Sequence, residues 1–314
     1  MMRVLVPDFW VPMLEPEAAR RGMRVEWVPY GEGRAGPFPG AEVIFRPDHA
    51  RFWKEALAAA PDVRYFHTTS AGVNDILPLT APRGITLTES GTVYRISMGE
   101  FVLSVMLFMA KRLAEHWEHF RAGRRQHLKH EELAGLTCGI VGLGPIGLGV
   151  AERAGAFGMR ILGCRRSGLP VEMATDVVPP DRMDRLWRES DYLVLACPLT
   201  PETRRVVRAE TLAKMRPTAR LINIARGGLV DTDALVDALR AGRIAGAALD
   251  VTEPEPLPPA HPLWRLPNVF LTPHNAPGET DPLLRRKLEL FLDNLQRYLA
   301  GQPLLNLVDP TRGY

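Results

Sequence analysis

The segment Thr137-Cys-Gly-Ile-Val-Gly-Leu-Gly-Pro-Ile-Gly-Leu-Gly149 carries three glycines in the spacing G-x-G-x-x-G, at Gly142, Gly144 and Gly147. An apolar run typical of a buried parallel strand precedes them, and helical spacing of apolar residues follows. Strand, glycine turn and helix in this order predict a dinucleotide-binding fingerprint. Gly142 permits the tight turn, Gly144 lets the backbone approach a pyrophosphate, and Gly147 lets helix and strand pack closely. Pro145 suits the first helical turn, whose N–H groups face the phosphates.

Composition and charge narrow the class of protein. The 314 residues are 46% hydrophobic, which is enough for a core shared by two domains. A net charge of +3 spread along the chain gives no reason to expect a nucleic-acid partner. The three cysteines, Cys138, Cys164 and Cys197, stand singly in apolar runs without metal-ligand spacing. We therefore expect no metal and reduced thiols in a cytoplasmic protein.

No targeting or membrane segment is expected. The first residues run directly into a predicted strand rather than a long apolar signal region. The most apolar helical run, Phe101–Ala110, is too short to span a bilayer.

Short apolar runs alternate with helical segments along the chain, which is typical of parallel α/β sheets. A first unit is predicted to have strands at Arg3–Val6, Arg24–Val28, Val43–Phe45 and Val63–His67. A second has strands at Cys138–Leu143, Arg160–Cys164, Tyr192–Ala196, Arg220–Ile224, Ala247–Val251 and Val269–Leu271. One long helix, Ser97 to about Arg124, joins the two units.

The predicted fold class is therefore α/β with two doubly wound parallel-sheet domains. A Rossmann cofactor domain, residues 97–282, is inserted into a flavodoxin-like substrate domain formed by residues 1–96 and 283–314. We expect the last helix, Pro282–Ala300, to cover the first unit, so that both ends of the chain build the substrate domain.

The second strand of the cofactor domain is followed by Arg165-Arg166-Ser167, beginning 18 residues after Gly147. A strand in this position normally ends in an acidic residue that binds the adenosine ribose hydroxyls. Two guanidinium groups and a hydroxyl instead favour a 2′-phosphate. The cofactor is therefore expected to be NADP in preference to NAD, with NAD still possible. Two solvated surface arginines are the alternative interpretation.

Four later segments each begin with a buried strand and end in a loop rich in Pro or Gly. They are Ala196–Thr203, Leu221–Asp231, Ala248–Pro256 and Asn268–Asn275. Ligands of open α/β sheets bind at such carboxyl ends of strands. The loops contribute Arg226, Glu255 and His274.

These three side chains suit hydride transfer to a carbonyl. His274 can donate the proton that the carbonyl oxygen needs when it becomes an alcohol. Glu255 beside the imidazole would stabilise its protonated form and fix its orientation. Arg226 would polarise the carbonyl and bind a neighbouring carboxylate. Taken singly, each residue also fits an ordinary surface position.

The motifs GIVGLGPIG (139–147), CPLTPET (197–203), INIARGGLVD (222–231), ALDVTEPEPLP (248–258) and HPLWRLPNVFLTPH (261–274) together identify a family. The sequence resembles the D-2-hydroxyacid dehydrogenases, and among them the glyoxylate/hydroxypyruvate reductases. The resemblance implies NAD(P)H-dependent reduction of a small 2-oxo acid to a D-2-hydroxy acid. It also implies a homodimer joined through the cofactor domains.

By this resemblance the catalytic arginine, glutamate and histidine fall on Arg226, Glu255 and His274. Asp250 matches the residue that holds the nicotinamide carboxamide. The full predicted cofactor set is Gly142, Gly144, Pro145, Ile146, Gly147, Arg165, Arg166, Ser167, Cys197, Pro198, Thr203, Ala225 and Asp250. The predicted substrate set is Ser70, Ala71, Gly72, Val73 and Arg226, with free backbone N–H groups of the loop suited to an anion.

The chain departs from the family pattern in two places. Glu89-Ser-Gly-Thr92 stands where many relatives carry Asn-x-x-Gly, and Asn275–Gly278 follows the histidine where a small glycine turn is usual. Both are expected near the cleft and could alter substrate preference.

Other functions remain open at this level. A phosphoglycerate dehydrogenase would need extra cations for a phosphate, and Arg46 and Arg95 are candidates. Formate dehydrogenases carry Gln where Glu255 stands, which counts against that branch. A non-catalytic nucleotide-sensing protein, like the co-repressors that share this fold, would keep the same three residues.

Overall fold

The computed structural model describes residues 1–34, 36–48 and 50–314. Parallel strands and helices alternate in its N-terminal part. The strands are β1 (Met2–Pro7), β2 (Val25–Tyr30), β3 (Ala41–Arg46), β4 (Tyr65–Thr68) and β5 (Thr86–Thr88), and the helices are α1 (Val11–Arg20), α2 (Trp53–Ala58) and α3 (Leu77–Thr80). The strands pair in parallel in the order β2-β1-β3-β4-β5, which is the flavodoxin-like order.

A second parallel sheet follows in the middle of the chain. Its helices are α4 (Arg95–Ala110), α5 (Leu113–Arg121), α6 (Pro145–Ala156), α7 (Asp184–Glu189), α8 (Ala209–Lys214) and α9 (Thr232–Arg240). Its strands are β6 (Thr137–Val141), β7 (Arg160–Cys164), β8 (Asp176–Val178), β9 (Tyr192–Leu195), β10 (Arg220–Asn223), β11 (Gly246–Leu249) and β12 (Val269–Leu271). They pair in the order β12-β11-β10-β9-β6-β7-β8, which is the Rossmann order with one strand added.

The chain divides into two compact units. The N-terminal unit is Met1–Val93 with Glu279–Tyr314, and the central unit is Tyr94–Gly278. The C-terminal helix α10 (Asp281–Leu299) places Phe291, Leu292 and Leu295 in one core of the N-terminal unit. The predicted fold class, a Rossmann domain inserted into a flavodoxin-like domain, is confirmed. The units divide after Val93 and after Gly278, whereas the sequence analysis placed the divisions after residues 96 and 282.

The inner strands of the central sheet are largely buried, whereas β12 at its edge is half-buried. All residues of β6, β9 and β11 are buried, as expected for parallel strands that read as continuous apolar runs. Polar groups that could meet a ligand are therefore expected at the strand ends, where the chain leaves the sheet.

Three sequence predictions about elements were wrong. The helix expected from Ser97 to Arg124 is two helices, because Arg112 adopts a left-handed backbone with φ 52° between α4 and α5. The strands β5 and β8 were not predicted, because their sequences, Thr-Leu-Thr and Asp-Val-Val, lack the continuous apolar run that marks the predicted strands.

Helix α4 crosses α6 at a pair of glycines. A Cβ on Gly99 would lie 2.5 Å from the Gly149 carbonyl oxygen, and one on Gly149 would lie 2.0 Å from the Arg95 carbonyl oxygen. Arg95 also pairs with Glu152 of α6 at 3.3 Å. The two helices therefore approach backbone to backbone.

The apolar helical stretch that includes α4 is longer than the predicted Phe101–Ala110 run. By length and composition alone, Gly91–Ala110 is long and apolar enough to cross a membrane. Core helices of soluble proteins meet the same criterion. The charges of Arg95 and Glu100 interrupt the run in the sequence, and in the fold both face α6, where Glu100 lies 3.9 Å from Arg153.

Candidate active site

The Gly142 turn lies where the strand order of the central sheet reverses. Gly142 follows β6 with φ 103°, a conformation that favours glycine. A Cβ there would lie 2.6 Å from the Cys197 nitrogen, in the loop after β9. The carboxyl ends of β6 and β9 thus meet at the topological switch point, where open α/β sheets bind ligands.

The start of α6 is built to receive an anion. A Cβ on Gly147 would lie 1.9 Å from the Gly142 carbonyl oxygen, so only glycine permits this approach. A Cβ on Gly144 would meet no atom within 4 Å, so space is open beside the first turn. No side chain caps the helix, and Pro145 and Ile146 form its first two positions. Its unpaired N–H groups therefore suit a pyrophosphate.

The residues after β7 carry positive charge and no carboxylate. Gly168 closes a turn by donating its N–H to the Arg165 carbonyl at 3.0 Å. Arg165 is half-buried, whereas Arg166 and Ser167 are exposed. The Thr200 hydroxyl holds the pKa of Glu202 below its usual value, and the charge of Arg166 adds to this effect. The sequence did not reveal this acidic neighbour of Arg166.

The Cys197–Thr203 loop is closed by its own hydroxyl. Thr203 Oγ1 donates to the Pro198 carbonyl at 2.8 Å and accepts from the Thr200 N–H at 2.8 Å.

Burial raises the pKa of Cys197 to about 12, so its thiol stays neutral and is not a nucleophile. Within the described part of the chain, no group of three or more His, Cys, Asp or Glu side chains could hold a metal ion.

Arg226 is held by a buried amide that sequence reasoning missed. Asn223, at the end of β10, accepts the Ala225 N–H at 3.1 Å and donates to the Arg226 carbonyl at 2.9 Å. An asparagine bonding two residues ahead is a known turn device, so its place at a strand end was the available signal. A Cβ on Gly227 would lie 2.0 Å from the Thr252 carbonyl oxygen. The Arg226 loop therefore lies directly against the loop that carries Glu255.

Glu255 and His274 are hydrogen-bonded, through Glu255 Oε1 and His274 Nδ1. Glu255 Oε2 accepts from the Thr252 N–H at 3.4 Å. The two side chains are 40% and 47% exposed, so they are open to a ligand while remaining paired. Because Nδ1 is engaged by the carboxylate, the other ring nitrogen, Nε2, is the one that can face a substrate oxygen.

Asp250 braces the loop that carries His274. Its Oδ1 accepts from the Thr272 hydroxyl at 2.7 Å and from the Asn275 N–H at 2.8 Å, and its carbonyl accepts the His274 N–H at 2.9 Å. The side chain is only 4% exposed. The family resemblance implies a nicotinamide contact for Asp250, which stays a prediction; the structure shows bracing contacts on both sides of His274.

Strands β10, β11 and β12 are neighbours in the sheet, so Arg226, Glu255 and His274 follow three adjacent carboxyl ends. The structure joins Glu255 to His274 by a hydrogen bond and packs the Arg226 loop on the Thr252 backbone. Such an arrangement places a cation, a carboxylate and an acid–base group at one edge of the sheet.

The predicted substrate loop, Ser70–Val73, follows β4 in the N-terminal unit. Ser70 Oγ accepts from Arg46 at 2.8 Å and donates to Asp48 at 2.7 Å. The Val73 carbonyl accepts the Ile76 N–H at 3.0 Å. Ala71 and Gly72 lie between these two anchored ends.

Glu89 lies at the end of β5, beside β4. Burial raises the pKa of its carboxyl to about 7, although the Gly91 N–H that it accepts opposes the shift. The next residue, Ser90, donates its N–H to the Ser70 carbonyl at 3.1 Å. Glu89 is therefore connected to the substrate loop through its neighbour Ser90, which bonds the Ser70 carbonyl.

Comparison with known proteins agrees with this geometry. Residues 103–276 match the family described as D-isomer specific 2-hydroxyacid dehydrogenase, NAD binding domain. A glyoxylate reductase of Thermofilum pendens is 40% identical over 261 residues, which cover 79% of this chain and 75% of that protein. A glyoxylate/hydroxypyruvate reductase B of Pectobacterium carotovorum is 38% identical over 265 residues, 82% of each chain.

The solved structures include a similar enzyme with its cofactor. The NADPH-dependent glyoxylate/hydroxypyruvate reductase of Sinorhizobium meliloti, in complex with NADP and sulfate, superposes with a TM-score of 0.85. It is 26% identical, and the match covers 100% of both chains.

Proposed function

The chain belongs to the D-isomer specific 2-hydroxyacid dehydrogenase family, in its glyoxylate reductase branch, and on that premise we propose that it reduces glyoxylate or hydroxypyruvate to a D-2-hydroxy acid. The observation that carries the proposal is the Glu255–His274 hydrogen bond beside the Arg226 loop, at three adjacent strand ends. Similarity to the named reductases supports the substrate class.

The residues present fit a dinucleotide. The open space beside Gly144 and the uncapped start of α6 suit its pyrophosphate, and Arg165 with Arg166 suits a 2′-phosphate. NADP is therefore the proposed cofactor, with NAD as the second choice. When bound, the reduced nicotinamide supplies the hydride.

The protein side chains supply position and protons. Arg226 binds the substrate carboxylate and draws electron density toward the carbonyl oxygen with its guanidinium. His274 Nε2 donates a proton to that oxygen, because the Glu255 carboxylate on Nδ1 keeps the ring oriented. In the reverse direction the neutral imidazole accepts the proton from the alcohol.

The first test is turnover by the purified protein. Glyoxylate, hydroxypyruvate, pyruvate and 3-phosphohydroxypyruvate are each offered with NADPH and with NADH, and loss of absorbance of the reduced cofactor is followed. We expect NADPH with glyoxylate or hydroxypyruvate to be fastest. A tenfold preference for NADH would contradict the cofactor proposal, and absence of turnover with every 2-oxo acid would contradict the reductase.

Cofactor choice is proposed to depend on Arg166. Replacing it with alanine removes a guanidinium from the 2′-phosphate position, so kcat/KM with NADPH should fall about tenfold while the NADH value is unchanged. Arg188→Ala, which removes an exposed arginine from α7 in the same unit, is the matched control. Equal losses with both cofactors would assign Arg166 a structural role instead.

Two alternatives carry less support. A phosphoglycerate dehydrogenase would need free cations, but Arg46 pairs with Asp75 at 3.2 Å and Arg95 with Glu152 at 3.3 Å. The activity screen separates this case by its phosphorylated substrate. A nucleotide-sensing co-repressor-like protein would bind NADP(H) without turnover. Turnover in the same assay would therefore count against this alternative, and its absence would count for it.

A cytoplasmic homodimer is proposed as the working form. On α5, Trp117 and Phe120 are 61% and 73% exposed, and their rings stack at 5.7 Å. A paired exposed aromatic surface is typical of an interface. Light scattering should give twice the chain mass, and Trp117→Glu with Phe120→Glu should give monomers. Phe157→Glu, at another exposed aromatic of the same unit, should leave the dimer intact. A monomeric wild type would contradict the proposal.

A further inference from the structure

A buried lysine lies beneath the Ser70–Val73 loop. Lys287, on α10, is 8% exposed and donates from Nζ to Asp48 Oδ2 at 2.7 Å. Burying an ammonium group costs free energy unless a carboxylate pairs with it, so the Lys287–Asp48 contact needs a physical explanation. The two residues are 239 positions apart in the chain.

Asp48 transmits that contact to the loop through several bonds. Its Oδ1 accepts from the Ser70 hydroxyl at 2.7 Å, and its backbone N–H donates to Thr69 Oγ1 at 2.7 Å. Thr69 in turn donates its N–H to the Arg46 carbonyl at 3.0 Å. The residues at the start of the loop are thus fastened to Asp48 from both the side chain and the backbone.

The charges in this cluster are balanced in pairs. Arg46 bonds Ser70 at 2.8 Å and Asp75 at 3.2 Å, while Lys287 bonds Asp48. Without Lys287, the Asp48 carboxylate would lose the ammonium group that it bonds, and the cluster would gain one net negative charge one hydrogen bond from Ser70. A loop in that state would repel any anion that approached its N–H groups.

We infer that Lys287 is a positioning residue: through Asp48 it holds the Ser70–Val73 loop and cancels the negative charge beneath it, so that the loop can receive a substrate carboxylate. The inference rests on the proposed reductase function and extends it to a residue of the C-terminal helix that touches neither cofactor nor reacting atoms.

Lys287→Met tests the inference with two substrates of different charge. Methionine fills similar space but removes the ammonium group. We expect KM for glyoxylate to rise about tenfold, with kcat changed less than threefold, because one unit of unbalanced charge faces the substrate carboxylate. KM for methyl glyoxylate, which has no carboxylate, should stay within twofold. A purely structural role would raise both KM values together and would overturn the inference.

Three further variants test whether the charge of Lys287 causes the effect. Lys287→Arg keeps the charge and should restore most of the glyoxylate KM. Asp48→Asn in the Lys287→Met background removes the added net negative charge while keeping an acceptor for Ser70, so KM should recover at least threefold. Arg285→Met removes an exposed cation from the same helix and should change nothing. A double variant no better than Lys287→Met would overturn the charge argument.

Hydrogen exchange of the ligand-free protein separates this inference from the proposed function. Amides of residues 69–74 should exchange at least fivefold faster in Lys287→Met than in wild type or Arg285→Met. Wild type that reduces no 2-oxo acid would overturn the proposed function, and the exchange result would still decide the role of Lys287. Equal exchange in all three proteins would overturn the inference that Lys287 holds the Ser70–Val73 loop.

Discussion

His274 combines an exposed imidazole with a backbone conformation that bulky L-residues seldom adopt. Its φ is 54°, in the left-handed region, where asparagine, aspartate and histidine are enriched among the non-glycine residues. Asp250 stabilises this conformation, because its carbonyl accepts the His274 N–H and its carboxylate accepts the Asn275 N–H. The surrounding loop therefore determines the direction of the ring, and Glu255 holds it there.

His274→Asn is the sharpest test of the proton donor. Asparagine tolerates the left-handed backbone, so the loop should be kept while the imidazole is lost. Turnover should fall by about 100-fold or more, the scale of a lost general acid, with little change in the thermal midpoint. Steady-state rates with NADPH and glyoxylate measure the effect.

His274→Ala serves as the comparison for that variant. It removes the same ring but fits the backbone less well, so it should lose similar activity and somewhat more stability. Turnover in either variant close to that of wild type would remove His274 from the mechanism.

Arg226, Glu255 and His274 were predictable as candidate site residues because each follows a strand and stands in a loop motif. The residues that hold them were not. Asn223 was assigned only to a strand, yet its amide bonds the Ala225 N–H and the Arg226 carbonyl. Asp250 was assigned to cofactor binding, yet its carboxylate also fixes the His274 loop. Bracing depends on geometry across loops, which spacing along the chain does not encode.

At the scale of elements, the crossing of α4 and α6 depends on glycines. A Cβ on Gly149 would lie 2.0 Å from the Arg95 carbonyl oxygen, closer than real Cβ contacts come. A Cβ on Gly155, in the same helix, would have no neighbour nearer than 3.9 Å. Glycine-to-alanine substitutions at these two positions of one helix therefore add the same methyl group, at Gly149 into a close backbone contact and at Gly155 where there is room for it.

Gly149→Ala should destabilise the protein by about 2 to 3 kcal/mol, because a backbone contact must open to admit the methyl group. Gly155→Ala should stabilise it by about 0.5 to 1 kcal/mol through helix propensity. Denaturant unfolding followed by far-ultraviolet circular dichroism measures both. Similar values for the two variants would mean that the helix crossing tolerates a shift.

Elements with long apolar runs were predicted from the sequence, whereas short or interrupted ones were not. The buried strands β6 and β10 can be recognised in the sequence by their apolar residues, which precede a glycine turn or a polar loop. β8 is a three-residue edge strand that begins with an aspartate, so it lacks the continuous apolar run by which β12, the other three-residue edge strand, was predicted. The break between α4 and α5 at Arg112 has neither glycine nor proline to signal it.

At the scale of the whole molecule, the chain returns to its first unit at the end. The last helix contributes Phe291 to a stack with Phe45 at 4.2 Å, and Lys287 to the Asp48 pair. The return of α10 to the first unit was predicted from the sequence. Its side-chain partners were not, since a pairing across 239 positions leaves no period in the sequence.

Two groups of the N-terminal unit, the buried His67 and the partly buried Glu89, make the stability of the molecule depend on pH. Burial lowers the pKa of His67 to about 3, so stability is lost as pH falls below its ordinary value of 6.5, where the unfolded chain gains a proton first. Burial raises the pKa of Glu89 from 4.5 to about 7. The folded state then binds this proton more tightly than the unfolded state, so stability falls as pH rises from 4.5 to 7 and stays low above.

Glu89→Gln should remove the second of these effects. Glutamine keeps an oxygen for the Gly91 N–H and has no charge to bury, so at pH 8 the variant should be more stable than wild type by at most about 3 kcal/mol. At pH 4.5 the difference should be much smaller. Thermal midpoints at both pH values measure it, and because His67 is present in both proteins its contribution cancels. Glu55→Gln, at an exposed carboxylate of α2, should show no such pH dependence. An equal difference at both pH values would mean that the gain comes from packing and that Glu89 titrates normally in the folded protein.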